Sequence, residues 1–334
     1  MVKLTIIIPI YNSYRYLKRC LDSIRQQTFT DFSVLLMDDG STDGSGKICD
    51  EYAKSDKRFV VCHLKNGGPA NARNEGLKIA SSEWVTFVDS DDYIEPWAFE
   101  RMINNSINAD MVVSGRIIEY ENKAKNITFD EKFLKSDNPI KLYIECEFTN
   151  SRDYIWNRLY KLSIIKENGI SFYDIRTGED TLFNIDYHLH INSVKTISCA
   201  YYHYIQSGNS LSKGYKSTLI EFHDLLNDKW KYMLENGNLD GNEKTIIYSI
   251  ICGTFYSEIS NLFFTKNQMS FLRKRSLYLN RFRDNTFVYS CLLKQKTFHS
   301  INNRIMSFLY LHKLFNTSVI YAYIISIIKT LKSD

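Results

Sequence analysis

The sequence predicts an α/β protein: a doubly wound, mainly parallel sheet with a C-terminal helical extension. Three observations carry this. Short apolar runs alternate with helix-period segments through the N-terminal half of the 334 residues, joined by short loops, as in repeated strand–helix units. The rhythm stops near Lys216, and only long helical patterns follow. The composition, 44% hydrophobic and 24% charged, is that of a globular chain long enough to bury a full core. Two domains are therefore expected, residues 1–215 and residues 216–334.

The elements follow in order. Leu4–Ile8 is a continuous apolar strand that Pro9 stops. Pro9, Tyr11 and Asn12 come next. An aromatic beside a strand end can stack on a nucleobase, although one Tyr among 23 is as easily a half-buried core residue. Leu17, Cys20, Leu21 and Ile24 mark one face of a helix. Phe32–Met37 is the second strand, and it delivers Asp38 and Asp39. A carboxylate there can accept from a base N–H or from ribose hydroxyls. Ser41, Thr42 and Asp43 offer caps for the next helix. Asp39, Ser41, Asp43, Gly44 and Asp50 imitate a calcium loop. That reading is rejected: a β-rich run stands where a helix belongs, and Asp replaces the bidentate Glu. Phe59–Leu64 is the third strand. Gly67-Gly68-Pro69 then turns into a helix whose Arg73 could pair with a phosphate or simply sit on the surface.

Trp84–Val88 is a fourth strand, running into Asp89-Ser90-Asp91-Asp92. Packing gains nothing from three carboxylates at a strand end, because ionised Asp is costly to bury. Asp89 and Asp91, two apart on a tight turn, can both offer oxygens to one hard cation, Mg or Mn, which in turn can hold a diphosphate. The alternative is a solvated acidic turn. Pro96 is placed to open a helix reaching Ile107, and Met111–Val113 is a fifth strand. Residues 114–150 carry no motif. Residues 153–168 read as a helix with Ile155, Trp156, Leu159 and Leu162 on one face. Glu179 and Asp180 then stand at a loop-to-helix start. This second acidic pair supplies a base that the first lacks, unless it only complements the helix dipole. His203, Gln206 and Ser210 could face a diphosphate; a lone His among Tyr residues is more often a hydrogen-bonded core residue.

IIIPIYN, LMDDGSTDGS, NGGPANARNEG, FVDSDD and TGEDTLF occur in this order. Together they resemble the family 2 glycosyltransferases, inverting nucleotide-sugar enzymes of the GT-A fold, over residues 3–215. The resemblance implies a GT-A-like sheet and a UDP-sugar donor. It places Tyr11 on the base, with Pro9 and Asn12 beside it, Asp38 or Asp39 on base and ribose, and Arg73 on the nucleotide. Asp89, Ser90 and Asp91 form the D-x-D turn at the ribose and the metal-bound diphosphate. Asp180 becomes the catalytic base, and Glu179 orients the site or the acceptor. WNRLYK is similar to a family stretch near the acceptor, which points to Trp156 and, from the acidic turn, Asp92. The chain lacks Q-x-x-R-W and multiple membrane spans, which favours transfer of one or a few sugars to a saccharide acceptor, lipid-linked and destined for the bacterial surface. Two rivals are a phosphohydrolase using Asp89 as nucleophile and an inactive nucleotide-sugar-binding protein. The first would want its D-x-D after the first strand of the domain.

The seven Cys are unpatterned and read as reduced thiols of a cytoplasmic protein; LTIIIPI is too short for a secretory leader. Net charge is only +4, but residues 271–334 hold 11 Lys/Arg against 2 Asp/Glu. The apolar runs 305–315 and 318–328 are each too short to span a bilayer. Beside that basic cluster they read as interfacial helices at the inner face of the plasma membrane. The alternative is a helical subdomain packed on the catalytic part or on a second subunit of a homo-oligomer. No nucleic-acid partner is expected.

Overall fold

The computed structural model describes residues 2–146, 154–206, 218–264, 267–295 and 300–331. The chain divides into two compact units, Met1–Ser210 and Leu211–Asp334.

The first unit is built on one mixed sheet. Its strands are β1 (Leu4–Ile10), β2 (Phe32–Asp38), β3 (Phe59–His63), β4 (Trp84–Phe87), β5 (Tyr93–Ile94), β6 (Met111–Tyr120), β7 (Lys123–Ile127), β8 (Lys132–Lys135), β9 (Arg158–Lys161) and β10 (Ser193–Ile205). The order is β3-β2-β1-β4-β9-β6-β10-β5, with β7 on β6 and β8 on β10. β3, β2, β1 and β4 are parallel, and Ile7 lies between Leu35 and Phe87. β9 runs antiparallel between β4 and β6. Ile6, Ile7, Ile8, Val34, Leu36, Val85 and Phe87 are fully buried, as expected for strands covered on both faces.

The helices of this unit are α1 (Tyr14–Arg25), α2 (Ser45–Ser55), α3 (Pro69–Ile79), α4 (Ala98–Asn104), α5 (Pro139–Cys146), α6 (Leu162–Glu167) and α7 (Glu179–His188). The face of α1 predicted from spacing, Leu17, Cys20, Leu21 and Ile24, is wholly buried. α3 lies close on β1: a Cβ on Gly76 would stand 2.6 Å from Ile7 Cγ2.

Several elements differ from their sequence expectation. Pro9 does not stop β1, because the β1–β4 ladder ends at Ile7–Phe87, and beyond it no partner needs the missing N–H. α2 starts at Ser45 behind Gly44 in the left-handed region, at φ 97°. α4 begins after Pro96 and ends at Asn104. β6 runs on to Tyr120 and turns into β7. The expected helix over 153–168 is strand β9 followed by the short α6; Asp153 lies outside the described residues. Leu159 and Tyr160 are both fully buried. A strand buried on both faces loses the period-two signal, and pairing with β4 and β6 overrides local helix preference.

The second unit consists of α8 (Leu219–Asn236), α9 (Gly241–Leu262), α10 (Phe271–Phe282), α11 (Thr286–Lys294), α12 (Ile301–Leu311) and α13 (Phe315–Leu331). Asp240 and Glu243 cap α9 reciprocally. Phe255 packs edge-on against Phe282 and near Tyr310, each 5.0 Å away. Buried Glu258 holds His223 and Arg281 in one polar knot.

Candidate active site

Parallel pairing brings the C-terminal ends of β2, β1 and β4 side by side, where open α/β sheets keep their ligand crevice. The loops there are stitched to one another. Asn12, at φ 49°, accepts from Thr42 N–H at 2.8 Å and donates its own N–H to Ser41 Oγ at 3.1 Å. Asp43, expected to cap α2, accepts from Ser45 N–H and also from Tyr14 N–H in the first turn of α1. The hydroxyls of Ser13 and Ser90 meet at 2.6 Å. Tyr11 is left 53% exposed, with its ring open to a planar partner.

The centre of the site is Arg73, from α3. Its side chain is only 5% exposed. Nη2 donates to Asp89 Oδ1 at 3.0 Å, and Nη1 donates to Glu179 Oε1 at 3.3 Å and Asp180 Oδ1 at 3.2 Å. Burial works against the guanidinium charge, but Asp180, Asp89 and Glu179 outweigh it and push its pKa above the ordinary arginine value. The ring of Phe172 lies 5.4 Å from the guanidinium carbon. Glu179 and Asp180 occupy the first turn of α7, which starts behind Gly178 at φ 83°. Anionic groups are favoured there, and Asp180 keeps 23% of its side chain in solvent.

The acidic turn after β4 is only partly neutralised. Burial, and then the charge of Asp89, push the Asp91 carboxyl up to about 6. Arg19 reaches this turn but donates to the Asp91 carbonyl, at 2.8 Å. The excess of carboxylate charge fits a divalent cation, with Asp89 and Asp91 as the groups that would hold it. Among the described residues no three or more His, Cys, Asp or Glu side chains gather closely enough to hold an ion by themselves. Diphosphate oxygens would complete such a site.

Other predicted residues are placed differently. Asp39 is buried, and its two oxygens accept from Gly67 and Gly68 N–H at 2.8 Å each, fixing the turn into α3. Asp38 is buried too, accepting from Ser41 N–H and paired with His63 Nδ1 at 2.7 Å. Arg73 is directed at carboxylates, the partners a buried guanidinium needs, where a phosphate contact was expected. Asp92 is fully buried and does not face an acceptor. It accepts from Tyr202 O–H and Ile205 N–H, each at 2.8 Å, and burial followed by the charges of Asp89 and Asp91 holds its carboxyl well above the usual range. Trp156 is also buried, stacked on Tyr202 at 4.1 Å and on Tyr204 at 5.6 Å. His203 spends both ring nitrogens on Glu119 and Glu95 and is not available to a diphosphate. Gln206 donates its N–H to Glu119 O; Ser210 lies outside the described residues.

Three contributors escaped the sequence reading. His63 braces Asp38, Arg19 braces the acidic turn, and Tyr202 accepts from Asp89 N–H at 3.0 Å while donating to Asp92. His63 carried a usable signal, a polar ring ending a strand beside the Asp-rich loop. Tyr202 carried none within the run YYHY.

Residues 5–169 match the family model described as Glycosyl transferase family 2. EpsH of Bacillus subtilis (strain 168) is 32% identical over 259 residues, 74% of this chain and 75% of that one. TarS of Staphylococcus aureus (strain Mu50 / ATCC 700699), a poly(ribitol-phosphate) beta-N-acetylglucosaminyltransferase, is 30% identical over 226 residues, 65% of this chain and 38% of TarS. The crystal structure of Staphylococcus aureus TarS 1–349 in complex with UDP-GlcNAc has a TM-score of 0.72 at 21% identity, covering 96% of this chain and 90% of that one. That is a likeness of fold.

Proposed function

The chain belongs to glycosyl transferase family 2, and from that premise we propose that it is an inverting transferase acting from a UDP-sugar on a saccharide acceptor. The observation that carries this reading is the convergence on Arg73. One guanidinium touches Asp89, on the donor side, and also Glu179 and Asp180, so the leaving-group region and the base lie within a single side chain's reach. Tyr11 stacks on the uracil. Asp38 and Asp39, braced by His63 and by the Gly67–Gly68 turn, line the floor on which base and ribose rest. Asp89, Ser90 and Asp91 face ribose and diphosphate. Asp91 and Asp89 would hold a divalent cation, Mn or Mg, which would neutralise the charge that builds on the departing diphosphate.

The chemistry is one displacement. The acceptor hydroxyl oxygen attacks the anomeric carbon, the bond to the diphosphate oxygen breaks on the opposite face, and the hydroxyl proton passes to Asp180. An α-linked donor gives a β-linked product. Arg73 fixes the Asp180 carboxylate, and Glu179 orients the acceptor. The acceptor is a lipid-linked saccharide of bacterial surface polysaccharide synthesis, met at the inner face of the plasma membrane. The likeness to TarS, a poly(ribitol-phosphate) beta-N-acetylglucosaminyltransferase, supports sugar transfer to a polymeric acceptor. The phosphohydrolase reading falls with the family, and the inactive-binder reading is answered by the same assay.

Purified protein is to be offered a panel of UDP- and GDP-sugars with Mn or Mg, reading released nucleoside diphosphate. A UDP-sugar is expected to react. Asp180→Asn is expected to keep donor affinity and to lose transfer by about 10²–10⁴-fold, the usual worth of a positioned base. Near-wild-type turnover in that variant removes Asp180 from its role.

A further inference from the structure

Catalysis makes no use of one face of the helical unit. α13 carries no charged residue from Phe315 to Ile328. Its inward side buries Ser318, Val319 and Ala322. On the opposite side Ile320, Tyr323, Ile324, Ile327 and Ile328 are 38–52% exposed, and their spacing puts them on one stripe. A helix apolar on both sides is one that has partners on both sides, and a stripe of this kind marks an interaction surface. The described helix is shorter than a bilayer's hydrocarbon core is thick. Its 17 residues reach about 26 Å, against a hydrocarbon core of about 30 Å, and no helix among the described residues is long and apolar enough to span.

Charge selects the occupant. Of residues 271–334, 11 are Lys or Arg and 2 are Asp or Glu. Lys313, exposed in the left-handed region at φ 57°, stands two residues before α13. Arg275 holds Asn316 in its first turn through Nε and Nη2 at 3.0 and 2.9 Å. Lys329 and Lys332 follow the stripe in sequence. A second copy docked on this face would press two strongly positive segments together. An anionic lipid surface gains from each of them, about fivefold in affinity per engaged Lys or Arg. We propose that the outward stripe of α13 lies in the interface of an anionic lipid surface, with Lys313 on the headgroups. This deepens the reading of a lipid-linked acceptor by naming the membrane contact, and it stands apart from sugar transfer.

The test uses the full chain and vesicles of phosphatidylcholine with about a third phosphatidylglycerol, against phosphatidylcholine alone. Cosedimentation is expected only with the anionic vesicles, and high salt is expected to weaken it. Ile324→Asp combined with Ile328→Asp is expected to lower vesicle affinity at least tenfold, and Lys313→Glu several-fold. Unfolding midpoint and UDP binding report separately whether each variant is folded and whether the donor reading survives. Equal vesicle binding by wild type and the double variant overturns the proposal. So does wild-type protein that ignores anionic vesicles, whether or not it self-associates through the stripe.

Discussion

At the scale of single residues, Arg73 balances the site. It is buried and meets three carboxylates, Asp89, Glu179 and Asp180. Arg73→Met takes from those carboxylates the guanidinium they share, and removing one partner of such a set costs about 3–5 kcal/mol; urea unfolding of the variant is the check. Arg73→Lys keeps the charge but loses the fork that reaches Asp89 and Asp180 together, so kcat is expected to fall more than stability. His63 is the second such residue. Hydrogen bonds donated to Asp38 first, then to Asp50, raise its pKa above the ordinary histidine value. The stability it adds is therefore fully present below pH about 6.5 and is lost as pH rises through the higher folded value. A thermal-unfolding comparison with His63→Ala is expected to show a gap at pH 6 that narrows toward pH 9. The ring is half exposed, so the gap is small. Sequence exposed the acidic turn because charges at a strand end have no packing reason to be there. It could not show that Asp39 would hold the Gly67–Gly68 turn ahead of α3 or that Arg73 would face acids, since each pairing joins elements that only the sheet brings together.

At the scale of elements, the approach of α3 to β1 decides how rigidly Arg73 is held. Ala is a better helix former than Gly by about 1 kcal/mol, so Gly76→Ala would stabilise an isolated helix. Here its Cβ would enter the fully buried Ile7 side chain, and overpacking of that kind costs about 1–3 kcal/mol. The variant is expected to be less stable than wild type, with a lower urea midpoint at unchanged slope and a shifted, less active Arg73. The same closeness explains which elements were legible. α1 and β1–β4 have clean periods or continuous apolar runs bounded by turn residues. β9 does not: it is short, buried on both faces, and continuous with α6, so Ile155–Leu162 matched a helix template by spacing alone. The aromatic stack of Trp156, Tyr202 and Tyr204 joins residues more than forty apart in sequence and left no local pattern.

At the scale of the whole molecule, the acidic turn and the first turn of α7 carry five carboxyl groups, Asp89, Asp91, Asp92, Glu179 and Asp180, and the donor brings more negative charge. UDP is therefore expected to raise the unfolding temperature strongly with Mn or Mg and weakly with EDTA, because only the metal-bound diphosphate offsets the repulsion. Asp91→Ala is expected to lose the metal-dependent part of that shift and keep the rest; an identical response to metal in the variant removes Asp91 as a ligand. The order of the sheet also bears on how the chain is made. β9 separates β4 from β6 in space but leaves the ribosome after both. At about 5–20 residues per second, β4 waits roughly 4–15 s after Phe87 is added before Lys161 arrives. Throughout that wait it presents an unpaired edge, and β6, which runs in the same direction, is the nearest wrong neighbour. A translational pause before Arg158 therefore prolongs a hazard that a pause after Lys161 does not touch.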